Sequence, residues 1–156
     1  MSGNAVTYRL GRNCKLYEGT AGAEAATEVT HAADVTFNAT RDKIEITDRL
    51  LAATGWKGYA NGLIDGTLTI QARKVKNDAA VGALRNAFKT GGPISLKILN
   101  GTDGDGVKGD FIVSDFNESQ PINGAVDINF TAYPTITDDS FPPTYIDETS
   151  GSSSGD

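Results

Sequence analysis

The chain has very little of what metal and nucleophile chemistry require: among 156 residues it has one cysteine, Cys14, and one histidine, His31. A single thiol excludes an internal disulfide framework. Zinc sites draw three or four ligands from cysteine, histidine and carboxylates, and His31 has no cysteine pair or second histidine to join it. The same residue would have to serve as the base of any nucleophilic triad. We therefore predict no catalytic residue, no metal ligand and no cofactor.

Long apolar runs are also missing. No segment approaches the roughly 20 apolar residues needed to cross a bilayer. The first five residues lack the basic and apolar regions of a secretory signal. We therefore expect no membrane partner, and synthesis and retention in the cytoplasm.

Positive charge is in short supply, with 14 lysines and arginines against 20 aspartates and glutamates and a net charge of -6. Proteins that wrap nucleic acid neutralise its phosphates with clustered Lys and Arg. The clearest basic cluster is Arg73, Lys74 and Lys76, without interleaved aromatic residues. We interpret it first as a solvated strand edge and second as a donor of salt bridges to a neighbouring subunit. A protein that grips DNA is not indicated.

The glycine-rich segment 103–106, Asp-Gly-Asp-Gly, superficially resembles a calcium loop. A calcium loop of that type needs a glutamate at its twelfth position, and counting from Asp103 that position is Ser114. No Gly-Lys-Ser/Thr follows, so the phosphate-loop pattern fails as well. The segment is interpreted as a hairpin tip.

β-Strand patterns are what the sequence has in quantity. Alternation of apolar and polar residues predicts strands at 13–17, 34–39, 43–47, 66–75, 93–99, 107–116 and 125–133. Val35 and Phe37 alternate before the short segment 40–42, and Ile44 and Ile46 alternate after it. This arrangement predicts a hairpin with its turn at 40–42.

One segment, 78–89, has a helical period, because Val81, Leu84 and Phe88 share one face. Asn77 or Asp78 can cap its start, and the glycines at 91–92 with the following proline stop it. The expected fold is mainly β: a sandwich or barrel of antiparallel strands with one flanking α-helix and a long inter-strand loop.

The chain is long enough for one domain. We place that domain at 1–134 and expect 135–156 to be a flexible acidic, Ser/Gly-rich tail, because it has too little apolar content to offset its ordering entropy. The tail has a few large apolar side chains that can dock locally, namely Phe141, Tyr145 and Ile146.

The segment most specific to one protein family is residues 55–70, with the sequence GWKGYANGLIDGTLTI. With Gly-Trp at 55–56, a Gly-Leu-x-Asp-Gly step at 62–66 and a following alternating strand, it resembles the phage tail tube protein (major tail protein) family. The order of strand, short helix, strand, Gly/Asp hairpin and closing strand also matches, over roughly 13–134. The same fold serves the inner tubes of contractile injection systems and type VI secretion, so it does not name the machine.

The resemblance implies a structural subunit, not an enzyme, that assembles into stacked hexameric rings forming the channel for DNA delivery. It implies a place in the virion tail after assembly in the host bacterial cytoplasm. The implied partners are other copies of the chain, a tape measure protein, a tail terminator and baseplate or tail-tip proteins, while DNA passes through without specific binding.

The connection at 48–62 is too long and too apolar for an ordinary hairpin turn. Exposed apolar patches usually mark partner surfaces, so we predict an inter-ring or subunit interface there. Its candidate residues are Leu50, Leu51, Trp56, Tyr59, Leu63 and Asp65. The alternative is that these side chains fold back on the chain's own core.

For the channel wall we expect an acidic surface, with Asp34 and Glu45 from the early hairpin and Asp42 at its tip as candidate lumen-lining residues. Two other functions remain open. One is a small β-sandwich module that binds carbohydrate or another ligand on a larger particle. The other is a carboxylate-only hydrolase, although no paired-carboxylate motif is present.

Overall fold

The computed structural model describes residues 6–101 and 104–148. Its elements follow the order β1 (Lys15–Gly19), β2 (Thr27–Glu28), β3 (Ala32–Glu45), α1 (Arg49–Ala52), β4 (Tyr59–Arg73), α2 (Ala79–Thr90), β5 (Ile94–Leu99), β6 (Gly106–Ser119), β7 (Asp127–Thr135) and β8 (Thr144–Ile146). A short 3₁₀ turn, Gly11–Asn13, precedes β1. The prediction of a mainly β, antiparallel fold is confirmed.

The strands form one antiparallel sheet in the order β2-β1-β5-β6-β7-β4-β3, and β8 also pairs with β6. The long strand β6 joins two halves of this sheet. Its first part, Gly106 to Phe111, pairs with β5, and its later part, Asp110 to Ser119, pairs with β7. The predicted sandwich or barrel is therefore built from a single sheet whose two halves share one strand.

The core lies between the sheet and the helix α2. Val81 and Leu84 of α2 are buried together with Leu68, Phe111 and Phe130 of the strands. The helix begins where the sequence predicts, because the Asp78 carboxylate accepts hydrogen bonds from the first backbone N–H groups. It ends at Gly91, whose φ of 76° is the left-handed conformation that favours glycine.

The predicted early hairpin is wrong. Residues 32–45 form one continuous strand, β3, paired along its length with β4. The segment 40–42, Thr-Arg-Asp, lacks a glycine or asparagine to support a tight turn. The irregularity opposite Asp42 lies in β4, which has one extra residue between Asn61 and Ile64. Asp42 is therefore not at a hairpin tip.

The fourth strand starts earlier than predicted, at Tyr59 and not at residue 66. The long inter-strand loop is consequently shorter, 46–58, and contains the four-residue helix α1. The Asp48 carboxylate accepts a hydrogen bond from Leu51 N at 2.9 Å and caps this helix. Tyr59, Leu63 and Asp65, expected in or beside a loop, lie within β4.

The structure also differs from the expected tail. Residues 144–146 form β8, which pairs with the start of β6, and Tyr145 makes an edge contact with Phe37. A methyl group on Gly109 would lie 2.8 Å from Pro143 Cα, so β6 and the segment before β8 approach closely. Residues 149–156 lie outside the described part of the chain.

A buried carboxylate ties two loops to β6. Asp110 is 0% exposed, and its two oxygens accept the N–H of Gly22 at 2.9 and 3.1 Å. The Thr137 hydroxyl also donates to it. Buried charged groups need such partners, so the segments containing Gly22 and Thr137 are held against the same strand.

Candidate assembly surface on a projecting arm

The hairpin β3–β4 extends well beyond the rest of the sheet. β4 pairs with β7 only between Leu68 and Arg73, whereas its pairing with β3 continues to Tyr59. We call residues 38–67, which lie beyond the last β4–β7 pair, the arm. An isolated two-stranded ribbon is marginally stable in water. The arm is therefore the part of the molecule with most to gain from a partner.

Large apolar side chains are concentrated on the arm. Leu50 is 81% exposed, Trp56 74% and Leu63 84%. Four more are also exposed there: Ile44, Ile46, Tyr59 and Ile64. Scattered exposed apolar residues are ordinary, but a concentrated set on one projecting element is typical of an interaction surface.

The predicted interface residues do not all behave alike. Leu50, Trp56, Tyr59, Leu63 and Asp65 are exposed, as an interface requires. Leu51 is half-buried, but within the arm and not against the core, so it does not follow the fold-back alternative. A methyl group on Gly58 would lie 2.2 Å from its Cδ2 atom. Leu51 therefore supports the tip of the arm.

The exposed isoleucines of the arm are a feature that the sequence reasoning missed. In an unbroken strand, odd-numbered Val35 and Phe37 share one face and even-numbered Ile44 and Ile46 share the other. Val35 and Phe37 pack against the core, whereas Ile44 and Ile46 are both 56% exposed. This change from odd to even apolar positions is the signal in the sequence, and two strands joined by a turn would give the same pattern.

Two glycines of the Gly-Leu-x-Asp-Gly step are explained by close contacts. A methyl group on Gly62 would lie 3.0 Å from both Cβ and the backbone oxygen of Asp42 on the facing strand. One on Gly66 would lie 3.0 Å from the Phe37 ring. Glycine at these positions lets the two strands and the ring pack closely.

The three candidate lumen residues are all exposed but are not brought together. Asp34 and Glu45 lie near opposite ends of β3, separated along the strand by roughly 36 Å at about 3.3 Å per residue. Glu45 shares the odd-numbered face with Phe37, while Asp42 is on the even-numbered face. They do not form one acidic patch in a single copy of the chain.

The basic cluster is largely neutralised within the chain. Arg73 forms an ion pair with Asp127 on the neighbouring strand β7, and Lys74 Nζ lies 3.2 Å from the Glu118 carboxylate. Arg73 lies on an inner strand and not at an edge of the sheet, and salt bridges to a neighbouring subunit remain a prediction. The pairs are exposed and contribute little stability.

An open groove of about 960 Å³ lies between β3 and the strands β1, β5 and β6. It offers room for the ligand-binding alternative. Its wall carries charged groups of both signs, including Arg12, Lys15, Glu28 and Asp34. Ligand pockets usually combine an apolar floor with a few convergent polar groups. The groove has apolar side chains in its lining, among them Phe37 and Ile98, but its charged groups are of both signs.

Within residues 6–101 and 104–148, no group of three or more His, Cys, Asp or Glu side chains is placed to hold a metal ion. Asp103 of the glycine-rich segment lies outside the described residues. Cys14 is exposed, with its Sγ 3.6 Å from Leu10 O. No helix in the described part of the chain is long and apolar enough to span a membrane.

Solved structures with the same fold come from tails and tubes. The tail of an empty gene transfer agent particle, solved with C6 symmetry, has a TM-score of 0.69 and 14% identity, covering 83% of this chain and 96% of that one. A chain of the native gene transfer agent virion has a TM-score of 0.68 and 13% identity over 88% and 99%. The SPP1 tail tube has a TM-score of 0.62 and 16% identity over 90% and 80%.

These identities are low enough that the structural matches establish a shared fold alone. No curated protein sequence matches the chain. The family model described as "Phage tail tube protein" does match, over residues 14–133, which is well over half of the chain. The matched range includes the arm, the helix α2 and the strands β5 to β7. The chain therefore belongs to the phage tail tube protein family.

Proposed function

We propose that the chain is a tail tube subunit that assembles into hexameric rings, and that these rings stack into the channel through which DNA is delivered. The observation that carries the proposal is the arm, a two-stranded ribbon with a concentrated set of exposed apolar side chains. The sixfold arrangement is supported by the gene transfer agent tail of the same fold, whose structure was solved with C6 symmetry.

In this proposal the arm makes the contact between rings. Leu50, Trp56, Tyr59, Leu63 and Asp65 are its exposed candidates, with Leu51 supporting them from below. Fully burying one large apolar side chain contributes about 1.5–3 kcal/mol. Each arm contributes a modest free energy of burial, and a ring has six arms. Stacking therefore becomes favourable only when a whole ring presents its arms together.

A stack of this kind uses unlike surfaces on its two ends, because head-to-tail contacts do not close on themselves. Each end of the tube then needs a different protein to cover it. We infer a tail terminator at one end and baseplate or tail-tip proteins at the other, with a tape measure protein inside. The assembled protein belongs to the virion tail, and assembly takes place in the host cytoplasm.

A structural role requires no active site. Because each subunit has a net charge of -6, six of them carry -36 per ring. Asp34, Asp42 and Glu45 remain the acidic candidates near the channel. DNA in such a tube meets no cluster of Lys and Arg to bind its phosphates, so it passes without specific binding.

Assembly of the purified chain tests the proposal. We expect monomers when the protein is dilute and hollow tubes in negative-stain microscopy when it is concentrated. Trp56→Ala and Leu50→Ala should raise the concentration needed for tubes at least tenfold, because each removes exposed apolar surface from the arm. Ile136→Ala, which truncates an exposed isoleucine outside the arm, should assemble like the natural chain.

Circular dichroism and thermal melting should show folded monomers for all three variants. A natural chain that stays monomeric at every concentration contradicts the tube proposal. Normal tubes from Trp56→Ala together with Leu50→Ala would instead show that the arm is not the stacking element.

A further inference from the structure

Asparagine is followed directly by glycine at three places among the described residues: 61–62, 100–101 and 123–124. In this dipeptide the backbone nitrogen of the glycine can attack the side-chain amide carbon of the asparagine, because glycine has no side chain to hinder the approach. In sequence the three pairs are alike. The structure distinguishes them by how firmly it holds the two groups that react.

The first pair is held by the arm. Asn61 lies within β4 and pairs with Lys43 of β3. The carbonyl of Gly62 accepts a hydrogen bond from Arg41 Nη1 at 3.0 Å. In an extended strand the side chains stand away from the backbone, so the amide carbon and the next backbone nitrogen stay apart. Attack at this pair requires the strand pairing to open.

The second pair is held by hydrogen bonds of the asparagine itself. The Asn100 side-chain amide donates to Asp105 Oδ1 at 2.9 Å, and its backbone N–H donates to Asp105 O at 2.8 Å. Gly101 is buried and has a φ of 105°. The side-chain hydrogen bond must break before this amide can leave, and the turn restrains the backbone around it. The Asn100 amide is therefore protected.

The third pair lies in the turn between β6 and β7, where residues 119–125 are all exposed. The Asn123 side chain makes no hydrogen bond to any residue that the structure describes. The N–H of Gly124 donates to Pro121 O at 3.4 Å, which is longer than the usual range of about 2.7–3.2 Å. Neither the amide carbon nor the attacking nitrogen is firmly held here.

We propose that Asn123 is the main site of spontaneous deamidation in this protein. The Gly124 nitrogen forms a bond to Asn123 Cγ, and the side-chain amino group leaves as ammonia with the proton that the Gly124 nitrogen gives up. Water then opens the resulting cyclic succinimide at either carbonyl. One opening gives aspartate, and the other gives isoaspartate, in which the backbone runs through the side-chain carbonyl carbon. Water is the only co-reactant.

The conversion exchanges a neutral amide for a carboxylate, so the net charge becomes one unit more negative than -6. The new charge lies at the end of the sheet opposite to the arm, because the adjoining end of β7 pairs with Arg73, the last residue of β4. Glu118 and Asp127, which flank the loop, are already paired with Lys74 and Arg73. The added carboxylate therefore has no cation of its own on these flanking strands.

Peptide mapping of the dilute natural chain, incubated at pH 7 and at pH 9, tests the proposal. Trypsin separates the three sites, since lysines and arginines lie between them. We expect the mass increase of amide-to-acid conversion, together with isoaspartate, in the peptide that contains Asn123. Its rate should exceed the rates at Asn61 and Asn100 at least about tenfold, because breaking two ordinary hydrogen bonds corresponds to roughly that factor. All rates should rise with pH, since the attacking nitrogen must lose its proton.

Two variants serve as controls. Asn123→Gln keeps the amide but requires a larger ring that forms more slowly, so it should abolish the conversion and leave the melting temperature unchanged. Asp105→Ala removes the acceptor of the Asn100 amide and should raise the rate at Asn100 about two- to tenfold, the effect of one lost hydrogen bond. The rate at Asn123 should not change in that variant.

Two results would overturn the inference. Equal conversion at the three sites would mean that the contacts of Asn61 and Asn100 do not determine the rate. Absence of conversion at Asn123 would mean that the exposed loop does not reach the reactive geometry. Neither result bears on the proposed tube function, which is tested separately by assembly of the freshly purified chain.

Discussion

Gly66 lies in β4 beneath the ring of Phe37. A methyl group there would be 3.0 and 3.1 Å from two atoms of the ring and 3.4 Å from Pro134 Cγ. Because Pro134 and the ring are both held by neighbouring strands, the clash is relieved only by moving packed groups. Glycine at this place lets β3, β4 and β7 pack at the base of the arm.

We predict that Gly66→Ala lowers the free energy of unfolding by about 1–3 kcal/mol, the usual cost of overpacking. Urea denaturation measures it. Gly82→Ala is the matched control: the new methyl group in α2 meets nothing within 4 Å, so helix propensity should raise stability by roughly 1 kcal/mol. Equal stability of Gly66→Ala and the natural chain would show that the Phe37 contact does not constrain this position.

Glu24 links two strands through its charge. Its carboxylate accepts hydrogen bonds from Lys97 Nζ at 2.9 Å and Lys108 Nζ at 3.1 Å. The bond from Lys97, then that from Lys108, lowers the pKa of Glu24 below its ordinary value of 4.5. The ionised form is therefore favoured by folding. Its contribution is present above pH 4.5 and is lost as the pH falls through the lowered pKa of the folded state.

We predict that Glu24→Gln reduces stability at pH 7 by less than about 1 kcal/mol, because the pair is largely exposed. The difference from the natural chain should shrink to nothing in strong acid. Thermal melts across the pH range measure this, with Glu45→Gln on the arm as the control that should show no such dependence. A difference that persists undiminished at the acid end would rule out the charge as its cause.

At the scale of elements, β8 and the segment before it complete the body of the molecule. Thr137 donates to the buried Asp110, and β8 pairs with β6 beside the first residues of that strand. Removing Thr137 leaves a buried carboxylate with one partner fewer. The structure therefore gives a reason to extend the folded unit past Pro134.

We predict that a chain ending at Pro134 loses at least 2 kcal/mol of stability, since an unsatisfied buried polar group alone costs about 1–3 kcal/mol. A chain ending at Glu148 should match the full chain. Thr137→Val isolates the hydroxyl from the loss of β8 and should reproduce part of the effect. Chemical denaturation compares the three. Unchanged stability of the chain ending at Pro134 would restore the expectation that the folded domain ends at residue 134.

At the scale of the whole molecule, the charge of the channel wall determines how a tube interacts with DNA. In a ring of six subunits, each residue of the channel wall occurs six times. One added lysine per subunit therefore gives a circle of six positive charges. Belts of lysine bind phosphates by counterion release, and such binding weakens steeply as salt rises.

We predict that tubes of Asp34→Lys retain short duplex DNA at low salt and release it at high salt, whereas natural tubes and Asp34→Glu tubes retain none. Co-sedimentation of DNA with tubes measures retention, and microscopy confirms that the variant still assembles. The matched variant Thr90→Lys, at the exposed end of α2, should retain little DNA. Equal retention by the two lysine variants would contradict the placement of Asp34 near the channel.

Local signals in the sequence determined a good part of this protein. The 3.6-residue period of Val81, Leu84 and Phe88, with Asp78 before it and Gly91 after it, specified α2 because a helix satisfies its hydrogen bonds within its own segment. The alternation at 93–99 and 107–116 located β5 and β6, because successive side chains of a strand point to opposite faces of a sheet. The segment at 55–70 was specific enough to identify the family.

Tertiary structure alone decided the rest. Whether 40–42 turns or continues depends on β4, which supplies the hydrogen bonds of β3 from about twenty residues away. β8 exists because β6 offers it an edge. Leu51 and Leu50 are adjacent and chemically identical, yet one packs on Gly58 and the other faces solvent. Thr36, Thr69 and Thr131 come from three strands, and only the register of those strands places them side by side. A strand makes its backbone hydrogen bonds with other strands and not within its own segment. Its sequence therefore specifies the alternation of its side chains but not the neighbours that they contact.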